Sequence, residues 1–110
     1  MGKSHLGEFE ELVLLAILRL NNDAYGVPIR QTLEEATGRP VSIGAIYITL
    51  ERLEGKGYVS SRLGEATSER GGRAKRYYEV QASGIRVLNE ARVVREKLLA
   101  GIRPGQNALT

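Results

Sequence analysis

The stretch from residue 41 to residue 57, VSIGAIYITLERLEGKG, constrains the fold of this 110-residue chain more than any other. Four apolar residues recur in it at spacings of three, four and three and so share one face of an α-helix: Ile43, Ile46, Leu50 and Leu53. The opposite face of its first two turns carries small or short side chains, with Tyr47 at the margin: Ser42, Gly44, Ala45, Ile48 and Thr49. A helix of this kind suits the major groove of B-DNA, although an ordinary amphipathic helix would show the same pattern.

Length and composition limit what the chain can be. A chain of 110 residues forms one domain, and its apolar content of 42% with 26% charged residues is that of a globular protein. It has no cysteine, which excludes disulfides and thiolate metal sites and fits a reducing cytoplasm. The longest apolar run, residues 12–18, is too short to span a bilayer, and the N-terminus lacks the pattern of a signal peptide. A net charge of +3 favours an anionic partner.

The first helix is predicted at residues 8–20. Its side chains are apolar on nearly every face, so we expect burial on more than one side. In so small a domain a second subunit can cover the additional face, which would place Leu12 and Leu15 at a dimer interface. Glu10 and Glu11 are adjacent and therefore point to different faces of the helix, and we interpret both as solvated surface.

A second helix is predicted at residues 25–37, and a four-residue turn, residues 38–41, joins it to the next helix. Gly38 suits the position after a helix end, because glycine tolerates the left-handed backbone conformation found there. Two helices joined by such a turn match the helix-turn-helix arrangement. Similar helix pairs also occur in proteins that never touch nucleic acid.

Two strands are predicted after this pair of helices, at residues 58–63 and 75–80, with a polar, glycine-rich connection between them. The simplest interpretation is a β-hairpin that follows the helix-turn-helix as a wing. Four basic residues would then lie at its edge or tip, where they could reach phosphates or the minor groove: Arg62, Arg73, Lys75 and Arg76. Alternatively, these charges only protect an edge strand from aggregation.

The last predicted helix covers residues 82–100 and carries one apolar stripe. Its members recur at spacings of four, three and four: Val87, Ala91, Val94 and Leu98. Nothing earlier in the chain obviously needs this helix for its own core. We therefore interpret it as a dimerisation element, with packing inside the chain as the alternative. Residues 101–110 are expected to form a loose tail.

Three stretches resemble the PadR family of transcriptional regulators: YGVPIRQTLE, VSIGAIYITLERLEGKGYV and GGRAKRYYEV, the last followed by a glycine-marked helix. The resemblance covers roughly residues 6–100, and its most specific part runs from Ile43 through Tyr47 to Tyr58. The single short C-terminal helix resembles the compact subgroup of that family.

The resemblance implies a winged helix-turn-helix homodimer that binds an inverted-repeat operator and represses transcription. It implies that residues 42–54 form the recognition helix, that Tyr47 contacts the DNA backbone, and that Arg73 and Lys75 supply the basic wing. Some members of the family release DNA when a flat hydrophobic compound binds between the subunits, often against an aromatic residue of the last helix. The last helix of this chain has no aromatic residue.

One position departs from the family's pattern. Gln81 stands where the family usually has a threonine that caps the last helix. We therefore expect the cap to come from Ser83 or to be weaker.

Together these patterns predict an α+β fold that is mostly α with a small β-hairpin. A winged helix-turn-helix domain would occupy residues 1–81, with its recognition helix at about 42–56 and its wing at about 58–80, and a C-terminal dimerisation helix would follow at 82–100. We expect DNA contacts from eight residues: Tyr47, Arg62, Arg73 and Lys75 to phosphates, and Ser42, Ala45, Ile48 and Thr49 to base edges.

The expected function is that of a cytoplasmic, homodimeric repressor that binds a palindromic operator in double-stranded DNA. The chain has a single histidine, close to its N-terminus, and no nucleotide-binding or metal-ligand spacing, so we expect no enzyme activity, cofactor or metal. Two alternatives stay open: a winged-helix module for protein–protein contact, and a dimer that mainly senses a small hydrophobic effector.

Overall fold

The fold consists of four α-helices and one antiparallel hairpin within the residues that the structure, a computed structural model, describes: 6–64, 74–103 and 105. The elements follow in the order α1 (Glu8–Leu20), a short 3-10 helix (Asn21–Asp23), α2 (Gly26–Thr37), α3 (Ile43–Gly55), β1 (Val59–Leu63), β2 (Arg76–Val80) and α4 (Ala82–Ala100). The predicted mixture of helices with one small hairpin is confirmed. Helices α1 and α4 have the predicted bounds, and α3 is one residue shorter at each end than predicted.

Helix α1 lies at the centre of the core. Leu14 and Ile17 are fully buried, and the helix packs against α2, α3 and β2. The apolar stripe predicted for α3 is buried with them, including Ile46 and Leu50. Most of the apolar surface of α1 is therefore buried by other elements of the same chain. Leu15, by contrast, remains exposed.

The turn between α2 and α3 is held by backbone geometry and one side chain. Gly38 ends α2 with φ +70°, in the left-handed region that favours glycine. The Glu34 carboxylate then accepts the Val41 N–H at 2.9 Å, and the Ser42 hydroxyl accepts the Ala45 N–H at 3.3 Å as the cap of α3. These bonds fix the direction in which α3 leaves the turn.

The hairpin is attached to the helices at its base. Val59 pairs with Val80 and Leu63 with Arg76, so the strands are antiparallel and in register. The Tyr78 N–H donates to the Ala24 carbonyl at 2.8 Å, which joins β2 to the segment between α1 and α2. The wing therefore cannot shift along the helix-turn-helix without losing a backbone hydrogen bond.

Helix α4 corrects the expectation for Val87 and confirms the second alternative for its own N-terminus, a weaker cap. Its first half belongs to the core of its own chain: Val87 is only 6% exposed, and Gly84 sits so close to Tyr58 that an added Cβ would lie 2.5 Å from the carbonyl oxygen. Val87 is therefore withdrawn from the predicted dimer interface, since packing within its own chain already covers it. Ser83 does not cap the helix, because its hydroxyl donates to the Gly57 carbonyl at 2.6 Å and α4 begins without a side-chain cap.

The interpretation of Glu10 and Glu11 as solvated surface is wrong. Both side chains are buried and ion-paired: Glu10 accepts from Lys56 at 2.9 Å and from the Gly7 N–H at 2.8 Å, while Glu11 accepts from Arg95 at 2.6 Å. Two adjacent carboxylates on α1 thus bind two other helices: Glu10 binds the end of α3, and Glu11 binds the second half of α4.

These contacts set the charge state of the two carboxylates. Burial raises the pKa of Glu10, but the Gly7 N–H and the Lys56 ammonium together lower it by more. The Arg95 guanidinium lowers the pKa of Glu11 and outweighs the opposing effect of burial. Each group is therefore held in its charged form, and each stabilises the folded protein above the ordinary carboxyl pKa.

We expect Glu11→Gln to destabilise the protein at neutral pH, because the amide cannot replace a charged acceptor for Arg95. The difference from the unsubstituted protein should narrow as the pH falls below 4.5, the ordinary pKa, because Glu11 is then increasingly protonated in both folded and unfolded chains. Urea unfolding at several pH values measures this. Glu96→Gln is the matched control, since Glu96 pairs with Arg92 on an exposed surface and should contribute little. Equal stability of the Glu11→Gln variant and the unsubstituted protein at pH 7 would contradict the assignment.

Candidate nucleic-acid interface

The outward face of α3 is exposed over its first half, as predicted. Ser42, Gly44 and Ala45 are open to solvent, and Tyr47 and Ile48 are 50% and 59% exposed. Apart from Tyr47, the side chains there are short, so little on this face holds a partner surface away from the helix backbone.

The structure corrects the predicted exposure of Thr49. It is only 4% exposed, because it follows the buried Ile46 by three residues and precedes the buried Leu53 by four. Those spacings put Thr49 on the flank of the apolar stripe rather than on the outward face. The predicted base-edge contact from Thr49 is therefore wrong for the chain as folded.

Ser42 combines a structural and a binding capacity. Its hydroxyl oxygen accepts the Ala45 N–H, which satisfies one unpaired donor in the first turn of α3. A hydroxyl that accepts one hydrogen bond retains its own hydrogen for donation. Ser42 can therefore donate to an acceptor in front of α3 without giving up the cap.

Tyr47 lies against the first turn of α2. A Cβ built on Gly26 would come within 2.7 Å of the Tyr47 Cζ and still closer to its hydroxyl oxygen, so a larger residue at this position would displace the phenol. Helix α2 starts without a side-chain cap, and the first N–H groups of a helix have no partner within it. The Tyr47 hydroxyl therefore lies at the positive end of α2, where an anion would be stabilised.

A cluster of two cations and two aromatic rings, the aromatic–cation cluster, lies beside this contact on the wing, toward the Leu63–Arg76 end of the paired strands. Its members are Tyr25, Arg62, Lys75 and Tyr77. The Lys75 ammonium is 4.7 Å from the centroid of the Tyr25 ring, the Arg62 guanidinium is 5.0 Å from that of Tyr77, and the two rings meet edge-on at 5.3 Å. Aromatic faces attract cations without neutralising them. Both positive charges are thus positioned while remaining available to an anion.

These features form one continuous surface. Tyr25 directly precedes Gly26, so the aromatic ring under Lys75 is next in the chain to the residue against which Tyr47 packs. Tyr47 at the margin of α3, the start of α2 and Lys75 on the wing are therefore neighbours on this surface. Sequence reasoning missed both tyrosines of the cluster. The pairing of Arg62 with Tyr77 across the hairpin could have indicated one of them, since directly opposed residues share a face.

The other predicted wing residues are placed differently. Arg73 lies outside the described residues. Arg76 donates to the Ser61 hydroxyl at 3.0 Å, and Ser61 donates to Glu54 at 2.8 Å, so Arg76 is engaged on the opposite face of the hairpin from Arg62.

The remaining residues predicted for a dimer interface lie on α1 and the second half of α4. Leu98 is 70% exposed, Val94 and Leu15 are exposed, Ala91 is half-buried, and Leu12 packs partly against the core. An open groove of about 1000 Å³ runs along α4, with Leu6, Ile85 and Val94 among its lining residues. Within the described part of the chain, no element covers this apolar surface.

None of the helices in residues 6–64 and 74–103 combines the length and apolar character needed to cross a membrane. In the same described part of the chain, no three side chains of His, Cys, Asp or Glu come together as a metal site would require.

A helix-turn-helix with a two-stranded hairpin packed beside it defines the molecule as a winged helix-turn-helix protein. The family model described as "Transcriptional regulator PadR-like family" matches residues 14–90 of the chain. The chain therefore belongs to the PadR-like family of transcriptional regulators. A search of curated proteins gave no match.

Solved structures of PadR proteins share the fold. A PadR family transcriptional regulator from Eggerthella lenta is 28% identical, with 86% of this chain and 81% of that one covered at a TM-score of 0.65. A PadR-like transcription factor from Bacteroides fragilis is also 28% identical, with 84% of each chain covered at a TM-score of 0.68. Bacillus subtilis PadR in complex with operator DNA is 20% identical, with 78% of this chain and 48% of that one covered at a TM-score of 0.64.

Proposed function

We propose that this protein is a sequence-specific DNA-binding repressor that acts in the cytoplasm as a homodimer on an inverted-repeat operator. The observation that carries the proposal is the aromatic–cation cluster beside the exposed half of α3, which places unneutralised positive charge next to a helix shaped for the major groove. The operator complex of Bacillus subtilis PadR, which has the same fold, supports it. The proposal assigns the chain no catalytic step and no cofactor.

Helix α3 would enter the major groove with its N-terminal half. Three exposed side chains are the candidates for base contacts: Ser42, Ala45 and Ile48. Ser42 can donate a hydrogen bond, whereas Ala45 and Ile48 offer only apolar atoms, which can contact thymine methyl groups. One half-site would be read by few contacts, so discrimination between sequences would depend on two copies of the protein binding together.

Phosphate contacts would come from Tyr47 at the start of α2 and from Arg62 and Lys75 on the wing. Arg73, outside the described residues, is proposed as a further contact because it follows the glycine pair just before β2. Together these groups would hold the DNA backbone beside the recognition helix and fix the register of that helix.

We expect Lys75→Ala to weaken DNA binding by about 3- to 10-fold at 0.1–0.2 M salt. The loss should be similar for preferred and random DNA, and the slope of log affinity against log salt should fall by about one unit, because one phosphate contact is removed. Fluorescence anisotropy across a salt series measures both quantities. Lys97→Ala, which removes an exposed cation from α4, should change neither. An unchanged slope for the Lys75→Ala variant would remove Lys75 from the interface.

A second copy is proposed to cover the exposed second half of α4. Val94 and Leu98 project from a surface that nothing in the described chain covers, and Leu15 of α1 adds to the apolar area. A two-fold arrangement would pair each apolar surface with its equivalent and would place the two recognition helices about 34 Å apart, one turn of B-DNA.

We expect the protein to be a dimer at micromolar concentration and Leu98→Glu to shift it to a monomer, because a charge would be buried without a partner at the centre of the interface. The dissociation constant of the dimer should rise by about 100-fold. Sedimentation velocity measures this. Ala36→Glu, which adds the same charge at an exposed position of α2, is the control and should remain dimeric. A Leu98→Glu variant that sediments as the unsubstituted protein does would contradict the assigned interface.

A further inference from the structure

Helical spacing places Arg30 at the groove between α2 and α3. Gly26 and Glu34 stand one helical turn before and after it and therefore share its face of α2. Gly26 packs against Tyr47, and the Glu34 carboxylate accepts the Val41 N–H just before α3 begins. Since both neighbours on this face contact α3 or the turn that leads into it, Arg30 is placed between those two contacts, beside the recognition helix.

The guanidinium of Arg30 has no acceptor within the described chain. Its Nε atom is buried and makes no hydrogen bond. The residue best spaced to pair with it is Glu34, four positions further along the helix, but that carboxylate bonds to the Val41 backbone. A buried N–H without an acceptor costs free energy, and no contact within the described residues offsets this cost.

The position of Arg30 on α2 indicates what acceptor its side chain could meet. Helical side chains lean toward the N-terminus of their own helix, so we expect the Arg30 side chain to extend toward the first turn of α2. The Tyr47 hydroxyl and the unpaired N–H groups of that turn are there, and Lys75 lies over the adjacent Tyr25. Donors from three elements thus converge on one region, and the group that they fit is an anion with several acceptor oxygens.

We propose that Arg30 contacts a DNA backbone phosphate together with Tyr47, as a further DNA-binding residue. The planar guanidinium can donate two parallel hydrogen bonds to a phosphate, which a lysine cannot do. The inference rests on the proposed function, since the phosphate belongs to the DNA strand that flanks α3.

Arg30→Met tests the inference, because methionine keeps an unbranched aliphatic stem while removing the charge and the buried N–H. We expect the melting temperature to stay the same or rise, and DNA affinity to fall about tenfold at 0.1 M salt, with the salt slope lower by about one unit. Arg30→Lys should keep the salt slope and recover only part of the affinity, because it restores the charge without the bidentate geometry. Arg19→Met, at the exposed end of α1, is the matched control and should bind as the unsubstituted protein does.

Three results would overturn the inference, and they differ in kind. If the Arg30→Met variant binds DNA with unchanged affinity and slope while the unsubstituted protein prefers certain DNA, Arg30 is not a contact and the proposed function stands. A lower melting temperature with an unchanged salt slope would likewise assign Arg30 a purely structural role. If the unsubstituted protein itself shows no salt-dependent binding to any DNA, the proposed function fails and the inference fails with it.

Discussion

Helix α1 packs against α2, α3 and β2 together, and this shared contact sets where the elements of the candidate DNA interface lie relative to one another. Leu14 and Ile17 supply the apolar part of the contact. Glu10 and Glu11 add charged bonds to Lys56 at the end of α3 and to Arg95 on α4. Helices α3 and α4 are thus anchored to two adjacent residues of α1, α3 to Glu10 and α4 to Glu11. In a dimer, the spacing of the recognition helices would depend on that rigidity.

Positively charged side chains near α1 and those on the wing have different kinds of partner. On the side of α1 the cations are matched with buried carboxylates, which fixes the fold. On the wing, Arg62 and Lys75 lie over aromatic rings, and on α2 the buried Arg30 Nε has no hydrogen-bond acceptor among the described residues. A cation held by a carboxylate would have to give up that partner to bind a phosphate, whereas one held by a tyrosine face would not. The arrangement orders the cations while preserving their attraction for an anion.

Periodicity in the sequence was sufficient to predict the helices and the hairpin, since an apolar stripe reports which face of an element is buried. It could not identify partners far along the chain. Glu10 and Glu11 were interpreted as surface because Lys56 and Arg95 lie 46 and 84 residues away. Val87 was assigned to a dimer for a similar reason, because periodicity does not say which chain covers a stripe. Tyr25 and the proposed role of Arg30 could not be predicted because they arise only where separate elements meet, whereas the pairing of Arg62 with Tyr77 within the hairpin could have indicated Tyr77.

We propose that α3 and the wing together recognise a particular DNA sequence. Titration of the purified protein against genomic fragments from upstream of genes and against random DNA, at one stated salt concentration, tests this proposal. We expect a clear preference for a fragment with an inverted repeat whose half-sites lie one turn of B-DNA apart, about 34 Å. Equal affinity for every fragment and for random DNA would contradict it.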